Sequence, residues 1–316
     1  MIITITGALG HIGSAFMRAI DVPDINRINL IDNFMTQRYV SLFDLPDHLP
    51  YKFMEVDILD DRVEGVIKQS DIVVHLAAVT NAEASFHNQD DVEAVNKNGL
   101  RKIADHCVKH KTKLIFVSST SVYGVQKNLV DETATEKELK PQSPYAETKR
   151  DGEKYLQQLG KEKGLEFITF RLGTIFGYSI GMRFHTAVNK FLWQASLGEK
   201  ITVWKTALHQ KRPYCALEDC IRAFNYVIRH NLFDGEIYNI LTANLTVNDI
   251  IESIRVHVPD LSIELVDSPI MNQLSYNVSV AKARQRGFVF EGDLQRSVEE
   301  VLRRLKGMNM PARRGL

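Results

Sequence analysis

Cysteine is scarce in this chain and occurs an odd number of times, at Cys107, Cys215 and Cys220. An odd number leaves at least one thiol unpaired, and the spacing matches no metal site. Small buried or half-buried thiols in a reducing cytoplasm are the expectation. The ten histidines form no HExxH or similar cluster, so no metal centre is expected. No run of about 18 apolar residues exists to span a bilayer as a helix. Net charge is missing too, with 39 Lys+Arg against 39 Asp+Glu. That balance argues against a protein that coats a polyanion, so neither nucleic acid nor membrane is an expected partner. Internal repeats and low-complexity tracts are absent.

What is present is a regular alternation. The chain runs directly into Ile2-Ile3-Thr4-Ile5-Thr6, which reads as a first strand and not as a signal peptide. Further strand candidates are Ile28 to Ile31, Phe53 to Val56, Ile72 to Leu76, Leu114 to Val117 and Phe167 to Phe170. Several are apolar at consecutive positions, as parallel strands covered on both faces require. Amphipathic stretches lie between them, among them Asp91 to His110 and a segment with Ile12, Phe16 and Ile20 at helical spacing. The pattern predicts a doubly wound α/β domain over residues 1–172. With 316 residues, a second lobe is expected as well. In the second half, residues 173–211 have the composition of a cleft-lining segment. Leu217 to His230 and Asp293 to Lys306 read as helices, and Ile237 to Leu241 as a strand. Thr246 with Asp249 reads as a helix cap. The tail Met308 to Leu316 is expected to be mobile.

Two tyrosine–lysine pairs share a spacing of four, Tyr145 with Lys149 and Tyr123 with Lys127. On a helix that spacing puts both side chains on one face. A nearby ammonium favours the phenolate, which can then take a proton from a sugar or alcohol hydroxyl. Tyr145 follows Pro144 and opens the helix-forming stretch Ala146 to Leu159, whereas Lys127 sits in a polar loop. The first pair is therefore the catalytic candidate.

Gly7-Ala8-Leu9-Gly10-His11-Ile12-Gly13 follows the first strand and opens the first helix, in a GxxGxxG spacing. Glycines there let the backbone turn tightly against a pyrophosphate, although a ligand-free turn is the alternative. Gly7, Gly10, His11, Ile12 and Gly13 are the candidate contacts, with no chemical role for the His11 side chain. Asp32 lies 19 residues after Gly13, where a carboxylate can accept from ribose hydroxyls and repel a 2′-phosphate. NAD is favoured; Arg38 keeps NADP as the alternative, and a plain surface turn at Asp32-Asn33 is the other.

Taken in order, these pieces join His75-Leu76-Ala77-Ala78, Asp57-Ile58, Asn96, Ser118 to Gly124, Arg171 with Phe176-Gly177, and Arg212-Pro213-Tyr214 with Asp219. So ordered a set resembles the extended short-chain dehydrogenase/reductase family, in its nucleotide-sugar epimerase and dehydratase branch. The resemblance implies a Rossmann-type sheet, NAD, and Ser119, Tyr145 and Lys149 as the catalytic trio. It implies that Asp57 and Ile58 flank the adenine, and that Ala77 and Ala78 line the pyrophosphate and ribose. Asn33, Leu76, Asn96 and Ser118 complete the implied cofactor set. Thr80, Ser119, Thr120 and Thr174 are implied sugar contacts, with Asn189 beside them. Arg212, Arg284 and Arg183 are implied for the diphosphate, with a solvated surface charge as the alternative for each, and an even one for Arg284. Residues 213–241 would return to the nucleotide-binding domain, leaving 173–212 and 242–316 as the substrate lobe. A homodimer is expected.

Ser119 also has a physical argument, because residues after Val117 lie at the carboxyl edge of a parallel sheet, where α/β ligands bind. The resemblance further implies a carboxylate just before Val122-Tyr123-Gly124 in dehydratases and decarboxylases, where this chain has Thr120 and Ser121. Both reactions are disfavoured. Thr174 stands where an asparagine is usual and resembles uronate epimerases, and Ala216 replaces a usual histidine. The expected activity is epimerisation of a nucleotide-diphosphate sugar at C4 through a transient ketone. A net dehydrogenase or reductase, and a non-catalytic NAD-sensing protein, are the alternatives.

Overall fold

Seven segments pair side by side as one sheet: β1 (Ile2–Thr6), β2 (Arg27–Asp32), β3 (Tyr51–Glu55), β4 (Ile72–His75), β5 (Lys113–Ser119), β6 (Phe167–Leu172) and β7 (Ile237–Ile240). The computed structural model describes residues 1–82, 84–124, 129–267 and 275–306. Lys127 and the Met308 to Leu316 tail lie outside the described residues. Across the sheet the order is β3-β2-β1-β4-β5-β6-β7, every neighbouring pair parallel. This is a Rossmann-type, doubly wound arrangement. The direction of winding reverses between β1 and β4, and open α/β sheets bind ligands at the carboxyl ends beside such a reversal.

The consecutive apolar residues predicted this two-sided burial. Val73 and Val74 are both fully buried, and they enter different core clusters on the two faces of the sheet. One cluster joins Ile3, Ile5 and Leu30 to Phe16, Phe170 and Phe224; the other joins Val73, Leu114 and Phe116 to Leu100, Ile103 and Leu156. Each fully buried side chain of this size contributes about 1.5–3 kcal/mol, so this sheet dominates the hydrophobic stabilisation.

The predicted helix from Asp91 to His110 is interrupted. Gln89–Val92 leads into a π-helical stretch, Glu93–Gly99, before the regular helix Leu100–His110. Helices widened this way are frequent at functional sites. Here the wide turn carries Asn96, which bonds the loop after β4.

A smaller lobe packs over the carboxyl edge of the sheet. Strand Arg212–Ala216 lies between Thr174–Phe176 and Ala243–Leu245, and Ile201–Trp204 pairs with Ile263–Val266. Helices Ala187–Ser196, Val247–Arg255 and Leu294–Arg304 close a separate core around Phe191, Ile251 and Val298. The Thr246 cap forms as expected, with Thr246 Oγ1 accepting from Asp249 N–H at 3.1 Å and the Asp249 carboxylate accepting from Thr246 N–H at 2.8 Å. One expectation changes: residues beyond 241 do not all belong to this lobe. Asn277–Val278 pairs with Leu129–Val130, and Phe288 packs against Phe170 (5.6 Å between ring centroids) and Tyr238 (5.3 Å) beside the sheet. Those aromatic contacts hold the segment around Asn277 to Phe288 on the nucleotide-binding domain.

Candidate active site

A cleft of about 790 Å³ runs between the carboxyl edge of the sheet and the smaller lobe. Its floor is the glycine turn. Gly7 has φ +66°, and a Cβ there would stand 2.6 Å from the Ala77 nitrogen, so the turn after β1 presses directly on the segment after β4. A Cβ on Gly13 would stand 2.6 Å from the Ala8 carbonyl oxygen. A side chain at either place would force apart the backbone that forms the turn.

Asp32 ends β2 and lines the cleft, its two oxygens accepting from Leu9 N–H (3.1 Å) and Phe34 N–H (3.0 Å). Burial raises its pKa, while these amides and the Arg38 guanidinium act against the rise. The carboxylate is thus fixed in direction and keeps lone pairs for a ribose. Asn33 donates to Asp57 at 2.7 Å, tying the ends of β2 and β3 together. Ile58, Leu76, Ala77 and Ala78 also line this end. These residues fit a dinucleotide.

The other end holds the reactive groups. Ser143 caps the helix Pro144–Lys163, accepting from Ala146 N–H at 3.2 Å, with Pro144 in the first turn. That start sets Tyr145 and Lys149 on successive turns facing the cleft. Lys149 donates to the Val117 carbonyl at 2.8 Å and lies 5.8 Å from the Tyr145 ring centroid. Burial lowers its pKa to about 8, with Glu153 opposing the fall. Burial raises Tyr145, and the Arg183 charge and a hydrogen bond with Ser119 pull it back. Ser119 Oγ in turn accepts from the Ser121 hydroxyl at 2.9 Å. The trio expected from the sequence is brought together.

Tyr123 is elsewhere. It is fully buried, its hydroxyl donating to Asn239 at 2.9 Å and its ring under the Arg171 guanidinium at 4.8 Å.

Other expected residues have their side chains engaged away from a ligand. Ser118 donates to Glu153 at 2.5 Å. Asn96 is buried and bonds both backbone groups of Val79, at 2.8 and 2.9 Å, so it shapes the loop after β4 and does not line the cleft. Asn189 is buried as well, donating to the Arg183 carbonyl at 3.1 Å. Arg284 is exposed on the helix Ala281–Gln285, 5.9 Å over the Phe290 ring, and does not line the cleft. The return of that helix to the sheet carries it away. His11 is buried and bonds the Gly177 carbonyl through Nε2 at 2.9 Å; burial lowers its pKa to about 3.

Thr80, Thr120, Thr174, Arg183 and Arg212 line the cleft. Sequence reasoning missed Lys190, His185 and Tyr276, which also line it. Tyr276 donates to the Thr120 carbonyl at 3.1 Å across a long sequence separation that no local pattern signals. Glu153 was missed too, though its position one turn after Lys149 was a legible signal.

A glycine turn at the winding reversal, a fixed carboxylate at the end of β2 and a Ser-Tyr-Lys cluster are together the features of a dinucleotide-dependent enzyme of the Rossmann type. A profile of the NAD dependent epimerase/dehydratase family matches residues 3–240, and the chain belongs to that family. It therefore uses NAD. An uncharacterised UDP-glucose epimerase of Bacillus subtilis (strain 168) is 28% identical over 249 residues, 76% of each chain. A dTDP-glucose 4,6-dehydratase of Streptomyces niveus is 26% identical over 250 residues, covering 76% of this chain and 72% of its own. Among solved structures, the UDP-glucuronic acid 4-epimerase of Bacillus cereus, in complex with UDP-glucuronic acid and NAD, superposes with a TM-score of 0.87 at 23% identity. That superposition covers 97% of this chain and 99% of the other, and speaks for the fold alone. Among the described residues no helix is long and apolar enough to cross a membrane, and no cluster could hold a metal ion. The three cysteines are free and buried.

Proposed function

We propose that this protein is a 4-epimerase of a nucleotide-diphosphate sugar, using a retained NAD. The observation that carries the reading is the distribution of acids in the cleft. Among the described residues that line it, the carboxylates are Asp32 and Asp57, both at the ends of β2 and β3. The wall around Tyr145 offers hydroxyls instead, from Ser119, Thr120, Ser121 and Thr174. Eliminating water from a sugar needs an acid for the leaving hydroxyl and a base for the C5 proton. A hydroxyl wall suits proton transfer at one alcohol and little else, which favours the epimerases among the relatives over the dehydratases.

In this reading Tyr145, as phenolate, takes the proton of the sugar's 4-hydroxyl, with Ser119 bonded to the same phenol. Lys149, held by Val117, keeps positive charge beside the ring and so favours the ionised form. NAD, when bound, would supply a reversible hydride acceptor, so that no net oxidation is required. Tyr145 then returns the proton to the oxygen after the ketone has presented its other face. Arg212 and Lys190, on the substrate lobe, offer cations to the diphosphate.

The test is incubation of the purified protein with UDP-, GDP-, CDP- and dTDP-sugars, relying on its bound NAD alone, with products identified by NMR. A C4 epimer is expected from one of them. A 4-keto-6-deoxy sugar as the stable product would contradict the proposal.

A further inference from the structure

Five cationic side chains line the cleft, Arg38, Lys149, Arg183, Lys190 and Arg212, against the two carboxylates of Asp32 and Asp57. Arg38 has Asp32 for company, and Lys149 has Glu153. Lys190 and Arg212 suffice for the two negative charges of a diphosphate. Arg183 is left over.

Its setting is specific. The side chain is half-buried in the cleft wall and donates through Nη1 to Thr80 Oγ1. Its Nε is shielded from solvent and bonded to nothing. The ionisable neighbour that favours its charge is the Tyr145 phenol; Arg38 and burial both act against it. A guanidinium that cannot be neutralised, with donors to spare in a fixed fork, matches a planar carboxylate. Its place beside Tyr145 says where that carboxylate would sit. If Tyr145 handles the 4-hydroxyl, the exocyclic carbon 6 is borne by the next ring atom, so a cation acting on Tyr145 stands within reach of a C6 substituent. The diphosphate, across the ring at C1, is farther away.

We propose that Arg183 receives a carboxylate on the substrate's sugar, so that the enzyme acts on nucleotide-diphosphate uronic acids in preference to neutral hexoses. This rests on the nucleotide-sugar reading of the site. It assigns Arg183 to the sugar and not, as the family resemblance implies, to the diphosphate.

Equilibrium binding to the full-length, NAD-loaded protein tests it, by calorimetry with two matched pairs: UDP-glucuronic acid with UDP-glucose, and GDP-mannuronic acid with GDP-mannose. The acidic member of at least one pair should bind about tenfold to a hundredfold more tightly, as a charge-assisted pair allows. Arg183→Gln should remove that preference, and Arg183→Lys should restore part of it. Equal or tighter binding of the neutral members, or no binding by either acid, overturns the proposal. So does an Arg183→Gln variant that weakens both members of a pair alike, because that is the behaviour of a diphosphate ligand. Should Arg183→Gln fail to fold, the wild-type preference and the Arg183→Lys variant still decide. Because binding is read without turnover, an acid preference with no epimeric product would leave this inference standing and sink the 4-epimerase reading.

Discussion

Arg171 grips Glu153 through two hydrogen bonds, Nε to Oε1 at 2.9 Å and Nη2 to Oε2 at 2.7 Å, with both side chains 3% exposed. Glu153 also accepts from Ser118, and its charge favours the Lys149 ammonium one turn away. The pair thus fastens β6 to the helix Pro144–Lys163, one turn beyond Lys149. Removing one partner strands a buried charge, so Glu153→Ala should cost about 3–5 kcal/mol. Denaturant melts at neutral pH would measure it. A loss below about 1 kcal/mol would mean that water reaches Arg171.

Tyr145→Phe keeps the ring and removes the acid–base hydroxyl. Turnover should fall by about a hundredfold to ten-thousandfold while NAD binding survives. Tyr123→Phe is the internal comparison. It deprives buried Asn239 of one hydrogen bond, so it should cost about 1–3 kcal/mol of stability and leave the turnover per folded molecule near wild type. Rates and melts for the two variants should diverge in opposite senses.

This contrast shows what was legible in the sequence. The seven strands, the glycine turn and the helix Pro144–Lys163 follow from local signals: consecutive apolar residues, glycine spacing, and Ser143-Pro144 as a helix start. Those causes act within a few residues of their effects. That Arg284 lies off the cleft and Tyr276 on it was not legible, because both depend on how the last third of the chain folds back. The Phe288 contacts with Phe170 and Tyr238 decide that path, and they join positions far apart in sequence. Asn96 was recognisable as a motif residue, but its bonds to Val79 exist only because the helix widens around it.

Lys149 gives a prediction with a definite sign. Its folded pKa, about 8, lies below the ordinary lysine value of 10.5, so the folded state holds its proton less tightly than the unfolded chain does. The charged form therefore opposes folding below about pH 8, and that penalty fades as pH rises toward the unfolded value. Lys149→Met should be more stable than wild type at pH 7, by up to about 3 kcal/mol, and the gap should shrink by pH 10. Its activity should be low throughout. A gap that widens with pH would reverse the sign of the shift.

Asp32→Ala should weaken NAD binding and lessen discrimination against NADP, because the accepting carboxylate and its repulsion disappear together. Affinities of both dinucleotides for the stripped protein, wild type and variant, measure this. If the wild type bound NADP as tightly as NAD, Arg38 and not Asp32 would govern the choice.

Arg212→Ala should raise the KM for the nucleotide sugar by about tenfold to a hundredfold and leave bound NAD content alone. Steady-state kinetics with a parallel assay of bound dinucleotide would separate the two effects. Unchanged KM would make Arg212 a bystander at the lobe boundary.

The proposed epimerisation requires hydride to leave C4 of the sugar and come back to the same carbon. A nucleotide sugar accepted by the enzyme, deuterated at C4, tests this in one experiment, with the label located by NMR after turnover. Deuterium at C4 of the epimeric product is the expected result. Deuterium at C6 of a keto-sugar, or in released NADH, would contradict it.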